Sequence, residues 1–257
     1  MSNSTSSSRT FAEPLYPIFA AAGFFLIWQG LVRWLEIPRY LLPAPTDIAV
    51  VLVNRFSDLL GDTLITLSEA VAGFLLGSGT AFIVGVVFAH FRRIERALSP
   101  LFVALQAVPL IAIAPLLIVW MGNGLASKVA MASLICFFPM VIATAAGLSR
   151  APRDSEELMS VLNATSWQRF LVLRLPQSVP FLLAGLKVNA SYAVIGAIVA
   201  ELAGAGRGIG FQILMASYKT DTPMLFAAIF MAALMGISFF KLVEAFERHL
   251  APRYGST

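Results

Sequence analysis

The chain has 257 residues, of which 58% are hydrophobic and only 12% are charged, and its formal net charge at pH 7 is +4. Soluble domains carry about 25% charged residues, so this composition excludes a water-soluble globule and predicts a protein that meets lipid. The small, dispersed positive charge does not indicate nucleic acid binding, and the single Cys136 excludes a disulfide within the chain.

Six apolar segments are long enough to cross a bilayer, which takes about 20 residues. They lie at 15–35, 65–90, 101–121, 126–148, 181–202 and 223–243. Residues 1–14 are Ser-rich at their start and are expected to form a disordered cytoplasmic tail. No small-residue cleavage site follows the first apolar run, which favours a membrane helix over a removed signal peptide. The sequence therefore predicts an all-α polytopic membrane protein, with one transmembrane domain at 15–248 and a cytoplasmic tail at 249–257.

Small residues and prolines predict how these spans pack. The second span has a small residue at every fourth position: Gly73, Gly77, Ala81, Gly85 and Ala89. Such a stripe lets another helix approach closely, either within the bundle of one subunit or at a seam between two copies. Pro109, Pro115 and Pro139 fall within the third and fourth spans, where a missing backbone hydrogen bond predicts kinks or breaks. Broken helices can line a cavity, although kinked packing helices are also common.

The positions of Lys and Arg predict the orientation. With a cytoplasmic N-terminus, twelve of the 18 Lys and Arg residues fall in inner segments. These are Arg9, Arg92, Arg93, Arg96, Arg150, Arg153, Arg169, Arg174, Lys187, Lys241, Arg248 and Arg253. The positive-inside rule therefore places both termini in the cytoplasm, together with the large polar loop at 149–180.

That polar loop, 149–180, interrupts the apolar pattern and predicts two short helices. Asp154 or Ser155 is expected to cap the first helix, Asn163 to form a left-handed stop, and Thr165 or Ser166 to cap the second. The acids Glu156 and Glu157 fall in the first turn of the first helix, where the helix dipole favours them. Each helix has an apolar face, formed by Leu158, Val161 and Leu162 in the first and by Trp167, Phe170 and Leu171 in the second. Leu175-Pro176 is expected to end the second helix. Such a hairpin either lies on lipid headgroups or fills a groove of a partner protein.

Several familiar kinds of site are missing from the sequence. The glycines of "GAGRGIG" at 204–210 lack the spacing of a phosphate-binding loop, so a gate or docking loop is the better interpretation. With two His residues and one Cys, no metal site or catalytic acid–base pair is visible.

Ionisable and polar residues inside spans are candidates for the solute pathway. Glu69, Lys187 and Glu201 lie near span ends, where capping or snorkelling competes with solute contact. Gln106, Asn189, Ser191 and Tyr192 could also line a pathway, and interhelical hydrogen bonding explains them equally well.

The segment from Glu157 to Pro176 resembles the "EAA" loop of the permease subunits of bacterial ATP-binding-cassette importers. In that pattern a Glu opens the loop, a Gly follows six residues later, and Leu-Pro closes it. Here those positions are Glu157, Asn163 and Leu175-Pro176, while the two alanines after the Glu are Leu158 and Met159. Four further stretches are similar to the nitrate, sulfonate and taurine branch: "LLPAPTDI" (41–48), "VPLIAIAPLLIVWMGNGLASKV" (108–129), "FFPMVIATAAGL" (137–148) and "ELAGAGRGIGFQI" (201–213). The stretch "YKTDTPMLFAA" (218–228) is more like relatives that import thiamine or pyrimidine precursors or other aromatic heterocycles.

The resemblance implies a pore subunit of the bacterial inner membrane. Two copies would form the pore as a homodimer, and an extracytoplasmic binding protein would deliver the solute. ATP and Mg would bind a separate ATPase subunit, so this chain is expected to be neither an enzyme nor a cofactor carrier. The implied coupling residues are Glu157, Leu158, Leu162, Asn163, Ala164, Trp167, Phe170, Leu175 and Pro176. The alternatives are a secondary transporter and a membrane enzyme. A secondary transporter is expected to show inverted repeats or a buried coupling carboxylate, and a membrane enzyme to show clustered catalytic groups. Neither pattern is visible in the sequence.

Overall fold

The computed structural model describes residues 15–254, apart from the side chains at 15–18, 92, 99, 103 and 250–254, and its regular elements there are all helical. The predicted tail at 1–14 and the last three residues of the tail at 249–257 lie outside this range. Eleven α-helices follow one another in the described part. They are α1 (Leu15–Trp34), α2 (Pro45–Asn54), α3 (Phe56–His90), α4 (Arg92–Ala107), α5 (Ala114–Met121), α6 (Leu125–Leu148), α7 (Arg153–Val161), α8 (Ser166–Arg169), α9 (Leu175–Ala203), α10 (Ile209–Tyr218) and α11 (Thr222–Tyr254).

Four of these helical stretches are long and apolar enough to cross a bilayer: α3, α6, the helix over 166–203, and α11 as far as His249. Helix α4 and the segment Leu110–Met121 form a fifth crossing if the bent pair is counted as one span. Helix α1 matches the first predicted span. Over Phe19–Trp34 it is apolar, but this part is shorter than the four crossing helices. The all-α polytopic fold is confirmed, and the described part supports four to five of the six predicted crossings.

The small-residue stripe of α3 packs against α6 within the subunit. A Cβ added at Gly77 would lie 2.8 Å from the Cα of Ser133, and one at Gly85 would lie 2.5 Å from the Cβ of Thr144. Gly196 of α9 meets the other side of α6 in the same way, because its Cβ would lie 2.6 Å from the Cα of Ala132. Helices α3, α6 and α9 therefore form the centre of the bundle, with backbones close enough to exclude larger residues at these points.

The prolines act differently from one another. The third predicted span is broken at Pro109, where the chain leaves α4, makes a 3₁₀ turn at Leu110–Ile113 and enters α5, with a bend of 82°. Pro115 lies at the start of α5, where the N–H that proline lacks would be unpaired in any case. Pro139 lies inside α6, which continues without a break, so a break there is not found. The close packing of α6 between α3 and α9 fits the rule that neighbouring helices hold proline-containing membrane helices in place.

Helix α11 continues well beyond the predicted sixth span at 223–243. Its end carries the expected ion pair between Glu244 and Arg248, with 3.2 Å between the charged atoms. A second pair joins Lys187 of α9 to Glu247 of α11 at 2.5 Å. The second pair ties the end of α11 to α9 and accounts for Lys187 without a role in solute contact.

Candidate functional site

The polar loop folds into a helical hairpin with a sharp turn at Asn163. Helix α7 begins at Arg153 after Pro152, so the predicted caps Asp154 and Ser155 are wrong and lie inside the first turn. Proline before a helix has a fixed φ, which lets the helix begin directly after it. Asn163 has a φ of +53°, which confirms the predicted left-handed stop. The turn is closed by two bonds to the last turn of α7, Asn163 N–H to the Ser160 carbonyl and Ala164 N–H to the Met159 carbonyl.

The second arm is capped by Thr165, one of the two predicted caps, and the other, Ser166, is the first residue of α8. The Gln168 N–H donates to Thr165 Oγ1 at 3.3 Å, and the Thr165 N–H donates to Gln168 Oε1 at 2.8 Å, which completes a capping box. Arg169 donates from Nε to the Ala164 carbonyl at 3.0 Å, which holds the second arm against the turn.

The prediction that Leu175-Pro176 ends the second arm is wrong. The chain runs from α8 through a π-helical turn at Phe170–Arg174 directly into α9, as one helical stretch over 166–203. Pro176 occupies the first turn of α9, where its missing N–H costs little, and the π turn directly precedes this helix. The hairpin is therefore joined to a membrane-spanning helix without a flexible linker.

Two contacts brace the hairpin. Arg174 Nε donates to Glu156 Oε1 at 2.7 Å, which joins the second arm to the first. Phe170 is buried, stacks on Trp167 with ring centroids 5.4 Å apart, and meets the ring of His90 edge-on at 5.0 Å. His90 is the last residue of α3. The hairpin therefore packs against the ends of both α9 and α3.

The outer side of the hairpin is apolar and uncovered. We call Leu158, Val161, Leu162 and Trp167 the hairpin face; their exposed fractions are 60%, 78%, 66% and 63%. Glu157 is also exposed next to this face. In the described part of the chain nothing packs over these side chains, which is the state expected of a surface that meets lipid or another protein.

The five residues considered for the solute pathway do not come together. Asn189 is fully buried, and its amide donates to Ser78 Oγ at 2.9 Å and to the Cys136 carbonyl at 2.8 Å. Glu201 is also fully buried. Gln106, Ser191 and Tyr192 are exposed on the outside of α4 and α9. Asn189 therefore links α3, α6 and α9, as interhelical hydrogen bonding would require.

A polar network around Glu201 lies at the other end of α9 from the hairpin. Glu201 Oε1 accepts from Thr66 Oγ1 at 2.7 Å, and Oε2 accepts from the Gly210 N–H at 2.6 Å. The loop at 204–208 is also fixed by Asp62, whose Oδ1 accepts from the Gly208 N–H at 3.1 Å. Gly208 has a φ of +107°, and a Cβ at Gly210 would lie 2.8 Å from Glu201 Oε2, so both positions require glycine.

This network was only partly visible in the sequence. Glu69, Glu201 and the glycine-rich loop were singled out separately, while Asp62 and Thr66 were missed. Their signal was the spacing of Asp62, Thr66 and Glu69 at helical intervals on one side of α3. The N–H groups of Gly208 and Gly210 already donate to carboxylates, so they are not free to bind a phosphate.

Beside this network Lys128 and Glu69 face a small cavity. Lys128 is 3% exposed, and its ammonium donates to the carbonyl of Asn123 at 2.7 Å and to its Oδ1 at 2.6 Å. Glu69 is 5% exposed, and its Oε2 has no hydrogen-bond partner. The cavity has a volume of about 330 Å³ and is also lined by Arg207. In the described part of the chain no three His, Cys, Asp or Glu side chains are grouped to hold a metal ion.

Comparison with known proteins places most of the chain in one group. Residues 73–256 match the family described as binding-protein-dependent transport system inner membrane component. The riboflavin transport system permease protein RibX of Chloroflexus aurantiacus is 36% identical over 88% of this chain and 85% of its own length. The formylaminopyrimidine transport permease protein ThiX of Halalkalibacterium halodurans is 35% identical over 93% of this chain and 96% of its own. The putative aliphatic sulfonates transport permease protein SsuC of Bacillus subtilis is 31% identical over 87% and 80%.

The fold also resembles a solved structure, described as inward facing conformations of the MetNI methionine ABC transporter. The TM-score is 0.61 at 17% sequence identity, and the match covers 75% of this chain and 97% of that one. At this identity the likeness concerns the fold, and it extends over nearly all of the solved chain.

Proposed function

Because this chain belongs to the family of binding-protein-dependent transport system inner membrane components, we propose that it carries a nitrogen heterocycle of the pyrimidine or flavin type through an ATP-driven importer. The chain is an importer permease, a transport subunit and not an enzyme. The observation that carries the choice of solute is the similarity to RibX and ThiX, at 36% and 35% identity over most of the chain. The stretch at 218–228, which resembles importers of such heterocycles, supports the same choice.

A sulfonate is the second candidate solute. SsuC is 31% identical over 87% of this chain, and four stretches of the sequence resemble the nitrate, sulfonate and taurine branch. Taurine uptake is therefore the direct comparison in any transport measurement.

The hairpin is the proposed docking element for a separate ATPase subunit. The hairpin face exposes four large apolar side chains, with Glu157 beside them for a polar contact. An amphipathic helix of this kind fits a groove on a partner protein. ATP and Mg would bind that partner, a binding protein would deliver the solute outside, and a second copy of this chain would complete the pore as a homodimer. The distribution of Lys and Arg favours both termini in the cytoplasm of a bacterial cell.

The continuous helix explains how movement of the ATPase would reach the membrane. The stretch at 166–203 has 38 residues, which corresponds to about 57 Å of helix at 1.5 Å per residue. One end carries the hairpin, and the other end carries Glu201 and its bonds to α3 and the glycine-rich loop. A displacement of the hairpin would therefore tilt α9 and shift the contacts of Glu201 at its far end. A rocking mechanism of alternating access requires such a coupled movement.

A transport measurement tests this function. The chain is reconstituted in liposomes with a candidate ATPase subunit and a candidate binding protein, and uptake of labelled formylaminopyrimidine, riboflavin and taurine is measured with and without ATP. We expect ATP-dependent uptake of the pyrimidine or the flavin and none of taurine. An inactive ATPase variant is the control for energy coupling.

Uptake of taurine alone would contradict the proposed solute class and favour the sulfonate candidate. Uptake that continues without ATP would contradict the importer mechanism and favour a secondary transporter.

A further inference from the structure

A large apolar groove lies on the side of the bundle, between α3, α9 and α11, with a volume of about 750 Å³. We call it the bundle groove; its lining includes Phe74, Ser78 and Phe82 of α3, Leu186 of α9, and Phe239 and Phe246 of α11. Three of its lining residues, Leu75, Leu242 and Phe246, are 62%, 67% and 57% exposed. The groove is therefore open to whatever surrounds the subunit.

The lining of the bundle groove offers nothing to a polar ligand. Of the lining residues that the structure describes, Ser78 alone has a polar side chain. Ser78 is 5% exposed, and its Oγ accepts from the Asn189 amide at 2.9 Å. A nitrogen heterocycle would lose its hydrogen bonds with water there without replacing them, which is costly. The groove therefore fits a hydrocarbon chain and not a solute of the proposed class.

The length of the groove matches one leaflet of a bilayer. On α3 the lining runs from Val71 to Phe82, which is about 16 Å of helix at 1.5 Å per residue. Half of the hydrocarbon core of a bilayer is about 15 Å thick. On α9 the lining residues Leu182 and Leu186 lie toward the hairpin end of the helix, which the predicted orientation places on the cytoplasmic side. A spanning helix of a second copy would need a groove about twice as long, whereas an acyl chain of the inner leaflet fits this one.

Two exposed cations flank the groove on α11. Lys241 and Arg248 lie about one turn before and one turn after the lining residue Ala245, on the same face of the helix. Both bind the single carboxylate of Glu244, at 2.8 and 3.2 Å. Their side chains are 63% and 74% exposed, so both remain accessible to a further anion.

The other ion pair beside the groove is balanced. Lys187 directly follows the lining residue Leu186 and pairs with Glu247 of α11. Among the described residues, the ion pairs next to the groove on α9 and α11 therefore contain three cations and two carboxylates. Lys and Arg side chains at the cytoplasmic surface of a membrane attract the anionic headgroups of that leaflet.

We propose that the bundle groove binds an anionic phospholipid of the inner leaflet, with an acyl chain against Phe74 and Phe239 and the phosphate beside Lys241 and Arg248. The inference goes beyond the proposed function and does not depend on the choice of solute. The lipid fills the space between α11 and α9, the helix that carries the hairpin, so it forms part of the packing against which α9 would move.

Filling the groove tests the acyl-chain site. Gly79 lines the groove, and a Cβ there would meet nothing within 4 Å, so Gly79→Phe places a ring in the open space. Gly30 of α1 also has nothing within 4 Å of an added Cβ and lies outside the groove, so Gly30→Phe is the matched control. The full chain in mild detergent is mixed with phosphatidylglycerol or with phosphatidylcholine of the same acyl chains, and bound lipid is counted by native mass spectrometry. We expect Gly79→Phe to bind about tenfold less phosphatidylglycerol than the wild type and Gly30→Phe.

Removing one cation tests the headgroup site. Arg248→Gln should lower the binding of phosphatidylglycerol about fivefold and leave that of phosphatidylcholine unchanged. Arg39 is 69% exposed and pairs with Asp47 at 2.9 Å, outside the groove, so Arg39→Gln removes a similar cation and should bind both lipids as the wild type does.

The wild type alone decides the headgroup preference. Equal binding of phosphatidylglycerol and phosphatidylcholine by the wild type would overturn the proposal even if no variant folds. Unchanged binding of phosphatidylglycerol in Gly79→Phe would also overturn it. If that variant instead turns a dimer into monomers and keeps its lipid, the groove is a seam between two copies of the chain.

Discussion

Asn163 sets the geometry of the hairpin because it occupies a conformation that few residues adopt. Its φ is +53°, and the left-handed region costs most L-residues about 1–2 kcal/mol, with Asn and Gly the usual exceptions. The bonds from Asn163 and Ala164 back to Ser160 and Met159 depend on this conformation. The turn between the two arms therefore depends on the backbone conformation of Asn163.

Two substitutions at this position should have opposite consequences. Asn163→Gly should keep the hairpin intact, whereas Asn163→Val should destabilise the turn by about 1–2 kcal/mol, which increases the open population about five- to thirty-fold. Tryptic cleavage after Arg153 and Arg169, measured under native conditions, should accelerate by that factor in Asn163→Val alone. Equal cleavage rates in both variants would show that the turn does not depend on this conformation.

The sequence was informative about single residues where the signal is local. The turn at Asn163 and a cap at Thr165 or Ser166 were predicted correctly because a turn and a cap are formed within a few residues. The predicted caps of α7, Asp154 and Ser155, were wrong because the helix begins directly after Pro152, ahead of these two polar residues. The partners of Glu201 could not be predicted, since Thr66 lies 135 positions away in the chain.

At the scale of helices, the contact between α3 and α6 depends on glycine on one side of α3 only. A Cβ at Gly77 would lie 2.8 Å from the backbone of Ser133, while one at Gly79 would meet nothing within 4 Å. The two positions are two residues apart on the same helix, so they form a matched pair for testing the packing.

Gly77→Ala should destabilise the protein by about 1–3 kcal/mol because the helices must separate. Gly79→Ala should leave stability unchanged or raise it by up to about 1 kcal/mol, because Ala is the better helix former. Thermal unfolding of the two variants in one detergent gives the comparison. If Gly79→Ala is the more damaging change, α3 does not pack on α6 through its glycine stripe.

The positions of the membrane spans could be predicted because they depend on composition and length. The breaks and continuities of the helices were harder to predict because they also depend on packing. Apolar length indicated the spans, and Pro109 indicated the break in the third. The uninterrupted α6 through Pro139 and the π turn before Pro176 were not predicted, because both depend on neighbouring helices and local widening. The difference that matters most for function is that the second arm of the hairpin continues into α9, where the sequence predicted an end at Leu175-Pro176.

At the scale of the whole molecule, α9 joins two specialised ends. One end is the hairpin with its uncovered apolar face, and the other is the bonded network of Glu201 next to the cavity of Glu69. The first end is formed within one segment of the sequence that resembles the family's loop, whereas the second is formed by α3, α6, α9 and a loop that only folding brings together. The proposed importer function therefore requires that the hairpin face contacts a second protein.

Co-purification with a candidate ATPase subunit tests that contact most directly. Val161 of the hairpin face is 78% exposed and Val53 of α2 is 77% exposed, so Val161→Asp and Val53→Asp make the same change at equally open positions. Burying a valine is worth about 1.5–3 kcal/mol, so Val161→Asp should lower the retained ATPase about tenfold or more. The wild type and Val53→Asp should retain it fully. A wild type that purifies alone, or a Val161→Asp variant that retains the ATPase as well as Val53→Asp does, would contradict the account.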